Sequence, residues 1–248
     1  MLKRIVATLV DVVYPPLCAG CDCRGTWACD RCLAEVPPLR DPVCPRCGMP
    51  SALDSCQCAL MDPCLDSVRS ALPYQGWVAA AIQAFKYRDE TARAQSLASW
   101  LTPWLATWND VDALIAVPLH PRRHRQRGYN QAELLVRELS RASGVPVLAP
   151  LIRTRHTPPQ VGTDAEQRRH NVTGAFALRP GQWLGRGGRF VLVDDVRTTS
   201  ATLGACAAAL LPAGPAVVSA LTIAWAMPPT CQEQWNLLRG AATPQPAI

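Results

Sequence analysis

The sequence predicts an α/β protein in which a mainly parallel sheet flanked by helices follows a smaller cysteine-rich module. Three observations carry that expectation. Ten of the 12 cysteines fall between Cys18 and Cys64. Beyond them, apolar runs at 113–117, 191–193 and 216–224 alternate with helical patterns, as strands joined by helical crossovers do. Charge divides at the same place: residues 1–66 hold 6 Lys and Arg against 8 Asp and Glu, net −2, while residues 67–248 hold 19 against 11, net +8. The expected domains are therefore 1–66 and 67–248. A chain of 248 residues, 49% hydrophobic, can bury one substantial core and still carry a small extra module.

At the N-terminus, Leu2, Ile5, Val6, Leu9 and Val13 recur at helical spacing, which predicts an amphipathic docking helix. Asp11 interrupts the apolar body and no small-residue cleavage site follows, so the segment does not read as a secretory signal. The weakly polar stretch 203–227 is divided by Pro212, Gly214 and Pro215 into a helix and a strand, which leaves no membrane span. The expectation is a cytoplasmic chain. Thiols stay reduced there, and CxxC pairs favour metal over disulfides.

The cysteine spacing supports metal directly. Cys18-Ala-Gly-Cys21 and Cys29-Asp-Arg-Cys32 are two CxxC knuckles a short loop apart, and Cys44-Pro-Arg-Cys47 begins a third that is followed by Cys56-Gln-Cys58. Paired knuckles bring four thiolates around a tetrahedral Zn²⁺ with no position left for water, so two structural zinc ions are expected. The second set departs from knuckle spacing at Cys56 and Cys58, and Cys23 and Cys64 are left over.

In the second part, residues 79–85 read as a short amphipathic helix leading into Lys86, and 97–108 as a second helix with Trp100 and Trp104 on its core face. Lys86 is one of only two lysines among 25 basic residues, which suggests a use for a compact ammonium, as at a phosphate. The strand at 113–117 is followed by Arg122, Arg123, Arg125 and Arg127, a local positive field suited to pyrophosphate or a nucleic-acid backbone, placed after a strand and before a helix as a phosphate loop is. Gly128 and Asn130 then mark a helix start. The polar stretch 153–176, with Arg153, Arg155, Arg168, Arg169 and Asn171, has the length of a functional lid.

Residues 191–203 carry the most chemistry. An apolar run ends in Asp194 and Asp195, passes through Thr198, Thr199 and Ser200, and enters a small-residue helix at Ala201 and Thr202. Backbone N–H groups at such a helix start, with the hydroxyls, form a cradle for a phosphate dianion. Two carboxylates would repel that anion, yet they accept well from a pair of vicinal hydroxyls. The arrangement describes a sugar phosphate held at both ends.

This run resembles the phosphoribosyl-pyrophosphate (PRPP) signature of type I phosphoribosyltransferases, with Ser200 where that signature has glycine. Taken with the knuckles, Phe85-Lys86-Tyr87, Val117-Pro118-Leu119-His120, Arg127-Gly128-Tyr129-Asn130-Gln131 and Arg168-x-x-Asn171-x-x-Gly174-Ala175-Phe176, the chain is similar to the ComF/GntX family from about Leu2 to about Ala226. The resemblance implies a double zinc ribbon ahead of a type I phosphoribosyltransferase-like domain, and a role in competence, meaning DNA uptake, or in the use of DNA as a nutrient. It implies PRPP with Mg²⁺ as ligand, Asp194 and Asp195 at the ribose, residues 198–202 at the 5-phosphate, and Lys86, Arg127, Arg155 and Arg168 at the pyrophosphate or in a lid. Single-stranded DNA and other competence proteins are the implied partners. No residue stands out as a base for an acceptor. A non-catalytic PRPP sensor or a DNA-handling adaptor is the alternative to a transferase.

Overall fold

The computed structural model describes residues 15–40, 42–53, 56–155, 172–182, 184 and 187–242. The helix expected at the N-terminus, and Arg168, Arg169 and Asn171 of the expected lid, lie outside the described residues.

Among the described residues, the ribbon segment contributes a short α-helix, α1 (Asp30–Glu35), one 3-10 turn (Cys58–Leu60), and isolated bridges between Leu17 and Arg24 and between Val43 and Pro50. The chain then runs through β1 (Val68–Pro73), α2 (Gly76–Tyr87), α3 (Arg93–Ser99), α4 (Thr102–Leu105), β2 (Val111–Ala116), α5 (Pro121–Arg127), α6 (Gln131–Ser143) and β3 (Val147–Leu148). It continues as β4 (Leu151–Arg153), β5 (Phe176–Leu178), β6 (Arg189–Arg197), α7 (Ala201–Leu210), β7 (Val217–Trp225) and α8 (Pro229–Ala242). Among the described residues no helix is long and apolar enough to cross a membrane.

Five strands form a parallel sheet in the order β1-β7-β6-β2-β3, and β4 pairs with β5 in a separate antiparallel ribbon. Helices and ribbons cover both faces of the sheet, which is why β6 and β7 read as near-continuous apolar runs rather than alternating ones. On one face Trp77, Ile82, Phe85, Leu101, Leu135 and Leu139 pack with Cys18, Cys32 and Val36 of the first ribbon. On the other, Leu203, Cys206 and Leu210 of α7 pack with Leu39, Cys47 and Met49 of the second. Fully burying one such large side chain contributes about 1.5–3 kcal/mol, so the ribbons are held by the same burial that holds the sheet.

Two expectations need correction. The single helix over 97–108 is two: Pro103 lies in the first turn of α4, where its missing N–H costs nothing, whereas inside a continuous helix it would break the ladder. The arginine run is helical rather than a loop. Pro121 opens α5, the His120 side chain accepts from the Arg122 N–H at 3.2 Å, and Gly128 ends the helix in the left-handed region at φ 83°.

After β2 the chain moves outward to β3, and after β6 it moves the other way to β7. The connections therefore part between β2 and β6, where open parallel sheets form a crevice beyond their carboxyl ends. At the opposite side of the sheet β1 is the outermost strand. Its outer edge is met by the ribbon backbone, with the Leu39 N–H donating to the Ala71 carbonyl and the Val68 N–H to the Arg46 carbonyl, each at 2.8 Å. Gly48 sits so close to β1 that a Cβ there would lie 2.3 Å from the Val68 carbonyl oxygen.

Candidate functional site

Asp194 and Asp195 lie inside β6 rather than at its end, because β7 continues the register past them: Asp194 faces Thr222, Val196 faces Ala224 and Arg197 faces Trp225. Both carboxylates line a cavity of about 230 Å³ in the β2/β6 crevice, together with Lys86, Arg123, Arg127, Arg153, Asn130 and Thr202. Lys86, in the last turn of α2, places its Nζ 2.8 Å from Asp195 Oδ1. The Asp195 side chain is 4% exposed, and its Oδ2 is buried without a hydrogen-bond partner. The Asp195 N–H donates to Asp194 Oδ1 at 2.9 Å.

The electrostatics follow from this packing. Burial, reinforced by the charge of Asp195 and partly opposed by Lys86, pushes the Asp194 carboxyl up to about 7. Burial alone would lower the Lys86 ammonium, but the Asp195 carboxylate more than offsets it and raises its pKa. The cation is thus held in place by the floor of the cavity.

The loop at 198–200 leads directly into α7, and residues 198–202 line a small adjoining cavity of about 50 Å³ that shares Asp194. Ser200 adopts φ 62° and ψ 7°, the left-handed conformation that glycine takes without a Cβ penalty. It is buried, and the Thr199 Oγ1 is buried without a hydrogen-bond partner. The first turn of α7 leaves N–H groups with no partner inside the helix.

Neighbouring elements are tied together around the cavity. Tyr129 Oη donates to the Phe85 carbonyl, joining the end of α2 to the turn between α5 and α6. Buried Asn130 caps α6 by accepting from the Ala132 N–H at 3.1 Å and donates through Nδ2 to the Val117 carbonyl at 3.1 Å, anchoring the helix to the exit of β2. Arg127 lies over the exposed Tyr87 ring, 5.1 Å from its centroid, and donates to Gln131 Oε1.

Of the expected lid residues, Arg155 donates to the Thr173 carbonyl and is not in the cavity lining. Arg123 and Arg153 do line it, although neither was singled out as a site residue. For Arg123 the signal was available, since it precedes Arg127 by one helical turn and shares its face. Arg153, named with the expected lid, instead reaches the cavity from the end of β4. Burial lowers its pKa, and its guanidinium lies over Phe176.

The cysteines form two clusters, Cys18, Cys21, Cys29 and Cys32, and Cys44, Cys47, Cys56 and Cys58, with the Sγ atoms of each set within 4.8 Å of one another. In the second, Cys44–Cys58 and Cys47–Cys56 are 3.4 and 3.5 Å apart, close to the ~3.8 Å edge of a tetrahedron built on a Zn–S bond of about 2.3 Å. Both clusters could hold zinc. Backbone donors support the charge: burial would raise the Cys18 thiol, but N–H groups of Cys29, Gly20 and Cys21 bring it down to about 6. Cys23 and Cys64 belong to neither cluster.

Arg197 links the second cluster to the signature strand. It is 4% exposed, its Nη1 donates to the Cys47 carbonyl at 2.6 Å, and its guanidinium stacks 4.5 Å from the centre of the Trp225 ring.

No family model matches the chain. Competence protein F of Haemophilus influenzae is 32% identical over 199 residues, covering 73% of this chain and 85% of that protein. DNA utilization protein YhgH of Escherichia coli O157:H7 is 34% identical over 221 residues, covering 84% and 96%. Competence protein ComFC of Bacillus subtilis is 26% identical over 209 residues, covering 79% and 82%. Similar solved structures include the glutamine PRPP amidotransferase of B. subtilis, with a TM-score of 0.36 and 19% identity over 53% of this chain and 26% of that one. The adenine phosphoribosyltransferase of Leishmania tarentolae gives a TM-score of 0.35 and 12% identity over 56% and 73%. With relatives above 30% identity that it spans over most of their length, the chain belongs to the ComF family, that of competence protein F and DNA utilization protein YhgH.

Proposed function

We propose that the crevice between β2 and β6 binds PRPP with Mg²⁺, and that the protein uses this donor site in DNA uptake or in the use of DNA as a nutrient. The observation that carries the reading is a pair of adjoining cavities that share Asp194 and Thr202, one lined by both carboxylates with Arg123, Arg127 and Arg153, the other by the anion cradle at 198–202. A ribose 5-phosphate satisfies the carboxylates and the cradle, its hydroxyls donating to Asp194 and Asp195 and its phosphate accepting from the loop at 198–202. A pyrophosphate at the anomeric carbon satisfies the three arginines. The buried acceptor Asp195 Oδ2 and the Asp194 carboxyl are hard oxygen ligands of the kind Mg²⁺ takes, and the ion would neutralise pyrophosphate oxygens. Arg155 and Arg168 are proposed to close over the ligand. The two cysteine clusters are proposed to hold structural zinc, their four thiolates leaving no open coordination position.

If the bond at the anomeric carbon is cleaved, the developing positive charge on the sugar is stabilised by the two carboxylates and the leaving group by the guanidiniums. Calorimetric titration with PRPP and Mg²⁺, followed by pyrophosphate release with and without candidate acceptors, tests the reading. Binding with release makes the protein a transferase. Binding without release makes it a PRPP sensor, and absence of binding removes the assignment.

A DNA contact is proposed on α5. Arg122 and Arg125 are exposed, whereas Arg123 and Arg127 are half-buried and line the cavity, so the helix divides its charge between solvent and pocket. Binding through the exposed pair would fall steeply with salt and persist in PRPP; binding through the cavity pair would be displaced by it. Fluorescence anisotropy of a labelled single strand separates these outcomes.

A further inference from the structure

The first cysteine cluster has more sulfur beside it than a tetrahedral ion takes. Cys18 and Cys32 are buried, Cys21 and Cys29 half-buried, and Cys23 exposed. The sulfurs of the first four lie within 4.8 Å of one another, and Cys23 stands outside that set. Its thiol nonetheless hydrogen-bonds with the sulfurs of Cys21 and Cys29, the two less buried members. The backbone fixes it there, with the Cys18 N–H donating to the Cys23 carbonyl at 2.9 Å and Leu17 bridged to Arg24. Exposed Arg31 donates to the Cys21 sulfur, so this side of the cluster is electropositive as well as open to solvent, the setting in which thiols react. The second cluster differs, because its spare cysteine, Cys64, hydrogen-bonds with Asp62 instead.

The inner side of the first cluster is packed onto α2. A Cβ at Gly20 would lie 2.7 Å from Cys32 Sγ and 2.9 Å from the Trp77 Cβ, and Cys18 and Cys32 share a core with Trp77, Ile82 and Phe85. What happens to the outer thiols therefore reaches the helix that carries Lys86.

We propose that Cys23 is an oxidative modification site through which a hydroperoxide opens the first cluster and loosens α2. The proposal rests on the structural-zinc reading above, and its chemistry runs in two steps. The half-buried thiolate of Cys21 or Cys29 takes the terminal oxygen of the hydroperoxide: the O–O bond breaks, sulfur gives up two electrons, and with a proton from solvent the products are a sulfenic acid and an alcohol, or water from hydrogen peroxide. The Cys23 thiol then attacks that sulfur. An S–S bond forms, the S–O bond breaks, and the hydroxyl leaves as water with the thiol's proton. The cluster is left with three thiolates, one short of a closed shell, and releases its ion.

The test treats the full zinc-loaded chain with hydrogen peroxide. Zinc release is followed with a chromogenic chelator, disulfides by peptide mass spectrometry and α2 by hydrogen exchange. One of the two ions is expected to leave roughly tenfold faster than in Cys23→Ser, with Cys23 joined to Cys21 or Cys29 and α2 exchanging faster. Equal release from wild type and Cys23→Ser, disulfides that omit Cys23, a slowing of the same size in Cys64→Ser, or unchanged exchange in α2 overturns the proposal. If Cys23→Ser and Cys23→Ala both carry one ion fewer before treatment, Cys23 is itself a ligand, which also overturns it. Metal analysis of the untreated wild type separates the two readings. A first cluster without zinc removes the zinc reading and this proposal with it, whereas a loaded cluster whose release ignores Cys23 removes the proposal alone.

Discussion

Lys86 and Asp195 meet at 2.8 Å across the floor of the cavity, one from the last turn of α2 and the other from the middle of β6. The pair is asymmetric: the lysine side chain is 21% exposed and the aspartate 4%. Lys86 is therefore the group that makes the buried carboxylate tolerable, as well as a cation at the rim.

Removing the lysine should leave Asp195 buried and unpaired. Lys86→Met is expected to cost about 2–4 kcal/mol in urea unfolding, somewhat less than a fully enclosed pair because water reaches the ammonium. Adding Asp195→Asn should recover a large part of that loss. A Lys86→Met change below about 0.5 kcal/mol would show that the pair is not a structural requirement.

The raised Asp194 pKa predicts a pH signature. The unfolded chain releases this proton near 3.8 and the folded protein near 7, so the folded state binds the extra proton in between. This group's contribution to stability is greatest below about 4 and declines as pH climbs toward 7. Asp194→Asn should flatten that decline in denaturation curves taken between the two values. The ionised form is the better acceptor for ribose hydroxyls, so PRPP affinity should rise between pH 6 and 8. The double variant Asp194→Asn with Asp195→Asn should bind PRPP several-fold to a hundredfold more weakly, about 1–3 kcal/mol, and an unchanged dissociation constant would remove the diol assignment.

Elemental analysis should return two zinc ions per chain, one for each cysteine cluster. Cys56→Ser should reduce this to one while the first ribbon survives. Because Arg197 is tied to the Cys47 carbonyl and continues into the loop at 198–200, the same variant should also weaken PRPP binding. Two ions retained in Cys56→Ser would exclude that thiol from the coordination shell.

Ser200 holds a left-handed backbone with a Cβ, a conformation that costs about 1–2 kcal/mol relative to glycine. Ser200→Gly gives part of that back through the greater freedom of the unfolded chain. A net stabilisation of about 0.5–1 kcal/mol is expected, with PRPP affinity equal or higher. A loss of affinity would mean that the Ser200 hydroxyl is itself a contact.

How much of this was readable depended on distance along the chain. The strand, loop and helix around 191–210 were legible because every cue is local: a β-branched run, hydroxyls at a helix start, then small residues. The same holds for the knuckles, whose short spacing brings the thiols together; even the irregular Cys56 and Cys58 join Cys44 and Cys47. The break at Pro103 was misread because the tryptophan spacing across it suits a helix. Arg153 was read as part of a lid, and its place in the cavity lining was missed because it arrives on the small β4–β5 ribbon rather than the main sheet. Arg197 was the least legible of all. Its neighbours in sequence describe a phosphate loop, while its hydrogen-bond partner lies 150 residues earlier.

The contacts of Leu39, Arg46 and Gly48 with β1 bear on any attempt to dissect the protein. A parallel sheet whose outermost strand is left with free N–H and C=O groups is a template for pairing with another chain. In the intact protein the ribbon backbone occupies that rim, and the approach is so close that only glycine fits at position 48. A fragment beginning near residue 67 would therefore present β1 bare, and its characteristic failure should be self-association into oligomers rather than simple unfolding.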